Sequence, residues 1–126
     1  MARILIVDDE ESIRELIREV LSPEGHELLL AADAAQAFEV LRKKSVDLAI
    51  VDRNMPGASG LELVAAIRRN PKTAPMKVLM CTAASVTKEI DEAFAAGADD
   101  YVLKPLNFAQ LIAKVAKALA SPPRGA

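Results

Sequence analysis

The sequence lacks the features of secreted and membrane proteins. It has one cysteine, Cys81, so it cannot form an internal disulfide, as is typical of a reducing compartment. No apolar run approaches the roughly 20 residues that a membrane-spanning helix needs. The first apolar run, 4–7, is too short for a signal peptide and is followed directly by acidic residues. These observations predict a cytoplasmic protein that does not contact a membrane.

A strong excess of one charge is also missing. The 126 residues include 16 basic and 18 acidic ones, for a net charge of −2, which argues against direct nucleic-acid binding and against membrane-surface binding. Neither a glycine-rich dinucleotide motif nor a P-loop follows the first apolar run, so a nucleotide-binding domain is disfavoured. The chain is 52% hydrophobic and 27% charged, which is typical of a globular protein of one domain.

What the sequence does contain is a series of short apolar runs that alternate with helical patterns. The runs predict five strands, at 3–7, 27–31, 48–52, 77–82 and 101–103. Each is followed by a segment with apolar residues at helical spacing. Alternation of this kind predicts a doubly wound α/β fold with a parallel sheet between two layers of helices. Residues 1–120 are predicted to form the domain, and residues 121–126 a tail or the start of a linker.

Several residues carry local predictions about the helices. Ser12 and Glu15 have the spacing of a capping box at the start of the first helix. Asp33 and Asn107 are predicted to cap the second and fifth helices. The second helix is predicted to carry Ala37, Phe38 and Leu41, and the fifth to place apolar residues on one face: Phe108, Leu111, Ile112, Val115 and Leu119.

Polar residues follow the predicted strands at the point where each strand ends. The first strand is followed by Asp8 and Asp9, and the third ends on Asp52. The fourth ends on Thr82, and the fifth is followed by Lys104. Because parallel strands place their carboxyl ends at one edge of the sheet, these side chains are expected to lie together, where open α/β sheets bind ligands.

Three carboxylates at one edge repel one another. Two unit charges about 4 Å apart cost about 4 kcal/mol at an effective dielectric constant near 20, and one lysine does not neutralise three acids. A divalent cation that prefers oxygen ligands, Mg²⁺ or Mn²⁺, would offset this charge. Each residue also has a simpler interpretation when taken alone: Asp8 and Asp9 as acids before a helix, Thr82 as a backbone partner, Lys104 as a surface lysine. Only the set indicates a site.

The sequence resembles the receiver domain of two-component response regulators, and in particular the single-domain chemotaxis regulators. The resemblance extends from residue 3 to about residue 119. It rests on four motifs: Val7-Asp8-Asp9, Val51-Asp52-Arg53-Asn54-Met55-Pro56-Gly57, Cys81-Thr82-Ala83 and Asp100-Tyr101-Val102-Leu103-Lys104-Pro105. It implies the flavodoxin-like receiver fold, with five helices and the strand order 2-1-3-4-5.

The resemblance implies a role for each acidic residue. Asp52 matches the phospho-acceptor, which takes a phosphoryl group from a sensor histidine kinase, a phosphotransfer protein or an acyl phosphate. Asp9 and Asp52 match ligands of Mg²⁺, and Asp8 matches a helper that reaches the metal through water. Asn54 matches the residue whose backbone carbonyl completes the metal site. Arg53, beside the acceptor, is interpreted either as an exposed residue or as one that tunes access by a partner.

The resemblance also implies a conformational switch. Thr82 and Lys104 match the residues that hold phosphoryl oxygens, and the Lys104-Pro105 bond matches a cis peptide. Tyr101 matches a switch residue, with plain packing as the alternative. The face formed by the fourth helix, fifth strand and fifth helix would then bind a downstream partner, as a monomer or a phosphorylation-dependent dimer. The protein would not be an enzyme, although it would assist its own phosphorylation and dephosphorylation. Ala84 is small at a position that is often larger or polar in the family.

Three other functions fit parts of the pattern. A Mg²⁺-dependent phosphatase with an aspartate nucleophile also uses Asp, Thr and Lys, but that class places two acids two residues apart on the first strand, and this chain has no cap domain. A docking module without phosphorylation would not need the complete set of acids. The chain could also be the N-terminal receiver of a longer regulator with a DNA-binding or enzymatic output domain.

Overall fold

The computed structural model describes residues 2–83 and 87–122. Strands and helices alternate along the chain, as predicted. The elements are β1 (Arg3–Val7), α1 (Glu11–Leu21), β2 (Glu27–Ala31), α2 (Ala34–Lys43), β3 (Leu48–Asp52), α3 (Gly60–Arg69), β4 (Lys77–Thr82), α4 (Thr87–Ala96), β5 (Asp100–Leu103) and α5 (Phe108–Ala120). Ala84 and most of the predicted tail, 123–126, lie outside the described residues.

All five strands are parallel and are ordered β2-β1-β3-β4-β5, which confirms the predicted fold class and strand order. The inner strands are apolar because both of their faces are covered. Every residue of β3 and β4 is buried. The strand register pairs Val7 with Val51 and Asp52 with Cys81. β3 therefore extends one residue beyond β1, and β4 one residue beyond β3, so the three strands end close together at the carboxyl edge of the sheet.

Two hydrophobic cores lie on opposite faces of the sheet. Successive residues of a strand point to opposite faces, so Leu5 and Val7 belong to one core and Ile4 and Ile6 to the other. Helices α2, α3 and α4 cover the first face, and α1 and α5 cover the second. No helix in the two described ranges is long and apolar enough to cross a bilayer.

The predicted capping box at Ser12 and Glu15 is wrong. Helix α1 begins at Glu11, so Ser12 lies inside its first turn. The Glu10 N–H instead donates to Asp8 Oδ1 at 2.9 Å, which starts the helix before the serine. A capping box does occur in α3, where Ser59 and Glu62 each bind the other's backbone N–H. The same Ser-x-x-Glu pattern is therefore used at a different helix.

The predicted helix caps are confirmed, whereas two phenylalanines that the sequence groups with the apolar residues of these helices are exposed. The Asp33 and Asn107 side chains accept hydrogen bonds from backbone N–H groups at 2.8 and 2.9 Å. Phe38 and Phe108, in contrast, are 43% and 45% exposed. In α2 the buried contact is made by the smaller Ala37, one position and about 100° around the helix from Phe38. Phe108 is the first residue of α5, so no earlier turn of the helix covers its ring.

Candidate functional site

The carboxyl edge of the sheet holds two buried carboxylates that share one lysine. Asp8 follows β1 and Asp52 ends β3, and the two residues are 1% and 4% exposed. Lys104 follows β5, and its Nζ lies 3.2 Å from Asp8 Oδ2 and 3.2 Å from Asp52 Oδ1. The structure therefore brings together three residues that are 44 or more positions apart in sequence.

Asp9 adds a third carboxylate on the solvent side of this pair. One oxygen from each of Asp8, Asp9 and Asp52 lies within 4.8 Å of the other two. Asp9 is exposed, so an ion could reach the cluster from solvent. Three carboxylates and one ammonium group leave an excess of negative charge, and the donors are all hard oxygen atoms. These properties fit Mg²⁺, which binds through a few carboxylates and keeps several waters.

Burial and charge change the ionisation of the two central groups. Burial and, after it, the nearby Asp8 carboxylate together raise the pKa of Asp52 to about 6, against the opposing effect of Lys104. Burial alone would lower the pKa of Lys104, but the Asp8 and Asp52 carboxylates outweigh it and hold that pKa above its usual value. At pH 7 the amine is therefore protonated and Asp52 is mostly ionised.

The loop after β3 packs closely against the acceptor strand. The Asn54 N–H donates to Asp52 Oδ1 at 3.3 Å. The Gly60 N–H donates to the Arg53 carbonyl at 2.9 Å. A β carbon at Gly60 would lie 2.2 Å from the Asp52 carbonyl oxygen, so only glycine fits there. This contact holds the loop at a fixed distance from the Asp52 carboxylate.

Thr82 joins the site from β4. It is 1% exposed, and its hydroxyl donates to Glu89 Oε2 at 3.3 Å. Its carbonyl accepts the Lys104 N–H at 2.8 Å, so the ends of β4 and β5 are tied together beside the carboxylates. The structure thus places Thr82 and Lys104 on adjacent strands, as the sequence predicts.

Tyr101 lies on β5 between two other side chains. Its ring makes an edge-to-face contact with Phe94, with centroids 6.1 Å apart. Lys114 Nζ lies 4.1 Å from the centre of the Tyr101 ring, a cation–π contact, and also binds Asp100 Oδ1 at 3.3 Å. The Lys104-Pro105 bond is cis, as predicted.

The contacts of Arg53 with α4 are not predicted from the sequence. Its side chain is only 12% exposed, so the interpretation of Arg53 as an exposed residue is wrong. Nη2 donates to Glu92 Oε1 at 2.8 Å, and Nη1 donates to the Glu89 carbonyl at 3.2 Å. These partners are 39 and 36 residues away, and no pattern in the sequence relates positions at that separation.

This fold and site together define a class of protein: a doubly wound α/β domain with clustered acids, a hydroxyl and a lysine at the carboxyl edge of its sheet. Residues 4–116 match the family of the response regulator receiver domain. The chain belongs to that family, whose members act in two-component signal transduction and typically are phosphorylated and bind magnesium.

Known relatives agree with this assignment. The chain is 38% identical over 112 residues to the phosphate regulon transcriptional regulatory protein PhoB of Pseudomonas aeruginosa, which covers 89% of this chain and 49% of PhoB. It is 42% identical over 115 residues to the transcriptional regulatory protein YvrH of Bacillus subtilis, covering 90% and 47%. The chain therefore spans about half the length of these curated relatives.

Two of the matching solved structures are covered over nearly their full length. The chemotaxis response regulator CheY4 of Vibrio cholerae superimposes with a TM-score of 0.89 at 33% identity, covering 94% of this chain and 98% of CheY4. A putative response regulator from Chloroflexus aurantiacus gives a TM-score of 0.91 at 33% identity, covering 95% and 98%. The fold therefore corresponds to that of complete receiver domains.

Proposed function

We propose that this receiver domain accepts a phosphoryl group on Asp52 and thereby changes its affinity for a partner protein. One observation carries the proposal. The Asp52 carboxylate is 4% exposed and lies at the end of β3, 3.2 Å from the Lys104 amine. It also lies within 4.8 Å of oxygens from Asp8 and Asp9. A carboxylate nucleophile, a cation and hard oxygen ligands thus converge at one place.

The chemistry is a displacement at phosphorus. A carboxylate oxygen of Asp52 forms a bond to phosphorus, and the P–N bond of a phosphohistidine breaks, leaving a neutral imidazole once its nitrogen gains a proton. With an acyl phosphate, a P–O bond breaks instead and a carboxylate leaves. The protein mainly positions the reactants and offsets charge. Lys104 would offset charge on the phosphoryl oxygens, and the Thr82 hydroxyl would donate a hydrogen bond to one of them.

The acidic cluster would hold Mg²⁺ or Mn²⁺. The candidate ligands are Asp8, Asp9 and Asp52, with the Asn54 carbonyl as a further one. When bound, the ion would neutralise negative charge that develops around the transferred group. The fit rests on the spacing of the three carboxylates and on the raised pKa of Asp52, which reflects a buried group beside another acid. The three carboxylates form a set that one cation can satisfy.

Phosphorylation of the intact chain tests this function. Protein incubated with acetyl phosphate and Mg²⁺ should carry the added mass of one phosphoryl group on the peptide that contains Asp52, located by tandem mass spectrometry. Removal of the ion with EDTA should reduce the label by at least about tenfold, because the acidic cluster then repels the donor. A label on another peptide, or equal labelling in EDTA, would refute the assignment.

The switch would follow from the new charge. The phosphoryl group carries about −1.5 to −2 charges at pH 7 and replaces the single charge of the Asp52 carboxylate, and its oxygens can draw the Thr82 hydroxyl toward it. Tyr101, on the neighbouring strand, would then turn. The face of α4, β5 and α5 also carries the exposed Phe94 beside Tyr101, and it is the surface we assign to the downstream partner. A sensor kinase or phosphotransfer protein would approach Asp52 itself.

Tyrosine fluorescence can detect this movement. The chain has one tyrosine and no tryptophan, so Tyr101 is the main source of its intrinsic fluorescence. Beryllofluoride with Mg²⁺, a mimic of the phosphoryl group, is expected to change the intensity by more than about 20%, because Tyr101 would leave the Lys114 amine 4.1 Å from its ring. The Asp52→Asn variant should show no change. An unchanged wild-type signal would show that Tyr101 is a packing residue.

A longer regulator is the second candidate context. The chain spans 49% of PhoB and 47% of YvrH, both named as transcriptional regulatory proteins. An output domain would then receive the signal through the same face. The expectation that these residues do not bind nucleic acid directly stays a prediction about the receiver alone, as do the cytoplasmic location and the oligomeric state. The mass of the protein at its natural length distinguishes the two contexts.

A further inference from the structure

A network of side chains joins α4 to the ends of β3 and β4. Arg53 directly follows Asp52, and its guanidinium donates to Glu92 Oε1 at 2.8 Å and to the Glu89 carbonyl at 3.2 Å. The Glu89 side chain in turn accepts the Thr82 hydroxyl at 3.3 Å. Helix α4 is therefore held both by the residue next to the proposed acceptor and by a residue proposed to hold the phosphoryl group.

Hydrogen bonds hold the backbone of Arg53 as well as its side chain. Its N–H donates to the Cys81 carbonyl at 2.9 Å, and its carbonyl accepts the Gly60 N–H at 2.9 Å. The Arg53 side chain is 12% exposed, whereas the Glu92 side chain is 43% exposed. The arginine is thus held within the protein and the glutamate reaches it from the surface of α4. A displacement of α4 would have to break these contacts.

The Thr82 contact conflicts with phosphorylation. A threonine hydroxyl has one proton to donate, so Thr82 cannot donate to Glu89 and to a phosphoryl oxygen at the same time. The Glu89 carboxylate would also be repelled by the phosphoryl charge. We propose that Glu89 and Arg53 form a latch that holds α4 in the unphosphorylated position, and that phosphorylation opens it by taking the Thr82 hydroxyl from Glu89. This proposal rests on the proposed function of Asp52.

A latch of this kind sets how readily the protein enters the phosphorylated conformation. A contact present in only one of two conformations shifts the equilibrium toward that conformation by its free energy. Loss of the Glu89 contact should therefore favour the phosphorylated conformation, even though Glu89 does not touch Asp52. Glu89 acts through Thr82, so it is a positioning residue.

Beryllofluoride binding measures this effect in the full chain. With Mg²⁺ present, Glu89→Ala is expected to bind beryllofluoride about 3- to 10-fold more tightly than the wild type, measured by ¹⁹F NMR titration. Glu89→Gln keeps an acceptor oxygen and should gain less. Asp91→Asn removes the same charge from an exposed position of α4 and should bind as the wild type does. Equal affinity of Glu89→Ala and the wild type would overturn the latch.

A double-mutant cycle of Glu89 and Thr82 distinguishes two effects of Glu89: its hydrogen bond with Thr82, and the repulsion between its charge and the phosphoryl mimic. In a Thr82→Val background, which lacks the hydroxyl, the gain from Glu89→Ala should fall to less than about 1.5-fold. If the full gain persists without the hydroxyl, Glu89 acts by its charge alone and the latch is wrong. This cycle also accounts for any direct loss of affinity caused by Thr82→Val.

The Arg53 contact can be tested without any phosphoryl mimic. Arg53→Gln should increase amide hydrogen exchange in α4 (Thr87–Ala96) by at least about threefold, while exchange in α5 stays unchanged. Unchanged exchange in α4 would remove Arg53 from the latch. A wild type that binds no beryllofluoride with Mg²⁺ would refute the proposed function and the latch with it, whereas binding without any effect of Glu89→Ala refutes only the latch.

Discussion

Replacement of Asp52 by asparagine is expected to reduce phosphoryl labelling from acetyl phosphate by at least about 100-fold, because an amide lacks the nucleophilic oxygen that attacks phosphorus. The loss should be the same with Mg²⁺ at any concentration. Labelling is measured by mass spectrometry of the intact chain, with Asp91→Asn as the control because Asp91 is exposed on α4. A label that persists in Asp52→Asn would show that another residue is the acceptor.

The Asp52→Asn variant should remain folded. The pH dependence of its free energy of unfolding tests this, and so shows whether the label is lost because the nucleophile is missing or because the protein has unfolded. Burial and the Asp8 carboxylate raise the pKa of Asp52 from 3.8 to about 6, so the folded protein binds more protons than the unfolded chain between these values. The contribution of Asp52 to the stability of the metal-free wild type therefore falls as the pH rises from about 4 to 6, and nearly all of this loss is present above about pH 6.

Asparagine removes this penalty. In EDTA at pH 7, Asp52→Asn is expected to have a free energy of unfolding about 1 to 3 kcal/mol higher than the wild type, because the raised pKa of Asp52 already includes the attraction to Lys104. The difference should shrink toward zero as the pH falls to about 4. Urea unfolding at both pH values measures it. A variant that is less stable than the wild type at pH 7 would contradict the predicted cost of the buried carboxylate.

Replacement of Arg68 by alanine is expected to lower the free energy of unfolding by about 3 kcal/mol, the largest effect on stability that we predict for a residue outside the site. The Arg68 guanidinium donates to Asp99 Oδ2 and the Gly97 carbonyl, each at 2.9 Å, and to the Ala74 carbonyl at 2.7 Å. It also donates to the Met76 carbonyl. It therefore connects the end of α3 to the segments that precede β4 and β5.

The predicted loss of stability is large because the substitution leaves the Asp99 carboxylate in place without the arginine. The Asp99 side chain is 17% exposed, and without Arg68 its carboxylate would keep the Val78 N–H at 2.7 Å but lose the guanidinium charge 2.9 Å away. Arg68→Lys should recover only part of the loss, because an ammonium group cannot reproduce the planar set of donors. Urea unfolding gives the values. Arg69→Ala, at the exposed neighbouring position, should change stability by less than about 0.5 kcal/mol. Equal effects at positions 68 and 69 would contradict the prediction.

The sequence alone determined most of the fold and the members of the candidate site. Leu48–Asp52 reads as a buried strand because an apolar run ends on an acid before a loop. The polar residues at strand ends, such as Asp8, Thr82 and Lys104, could be placed together because parallel strands end at one edge. These predictions depend on periodicity and chain order, which are local or topological properties that a sequence contains.

The tertiary structure decided which side chains meet across helices and loops. The contacts of Arg53 with α4 and of Arg68 with Asp99 join positions 31 to 39 residues apart. The exposure of Phe38 could not be read from helical spacing, because the smaller Ala37 takes the buried position against the sheet. These contacts and exposures depend on the relative positions of whole helices and strands. Packing and ion pairing require side chains to be close in space, and residues far apart in sequence become close only when the chain has folded.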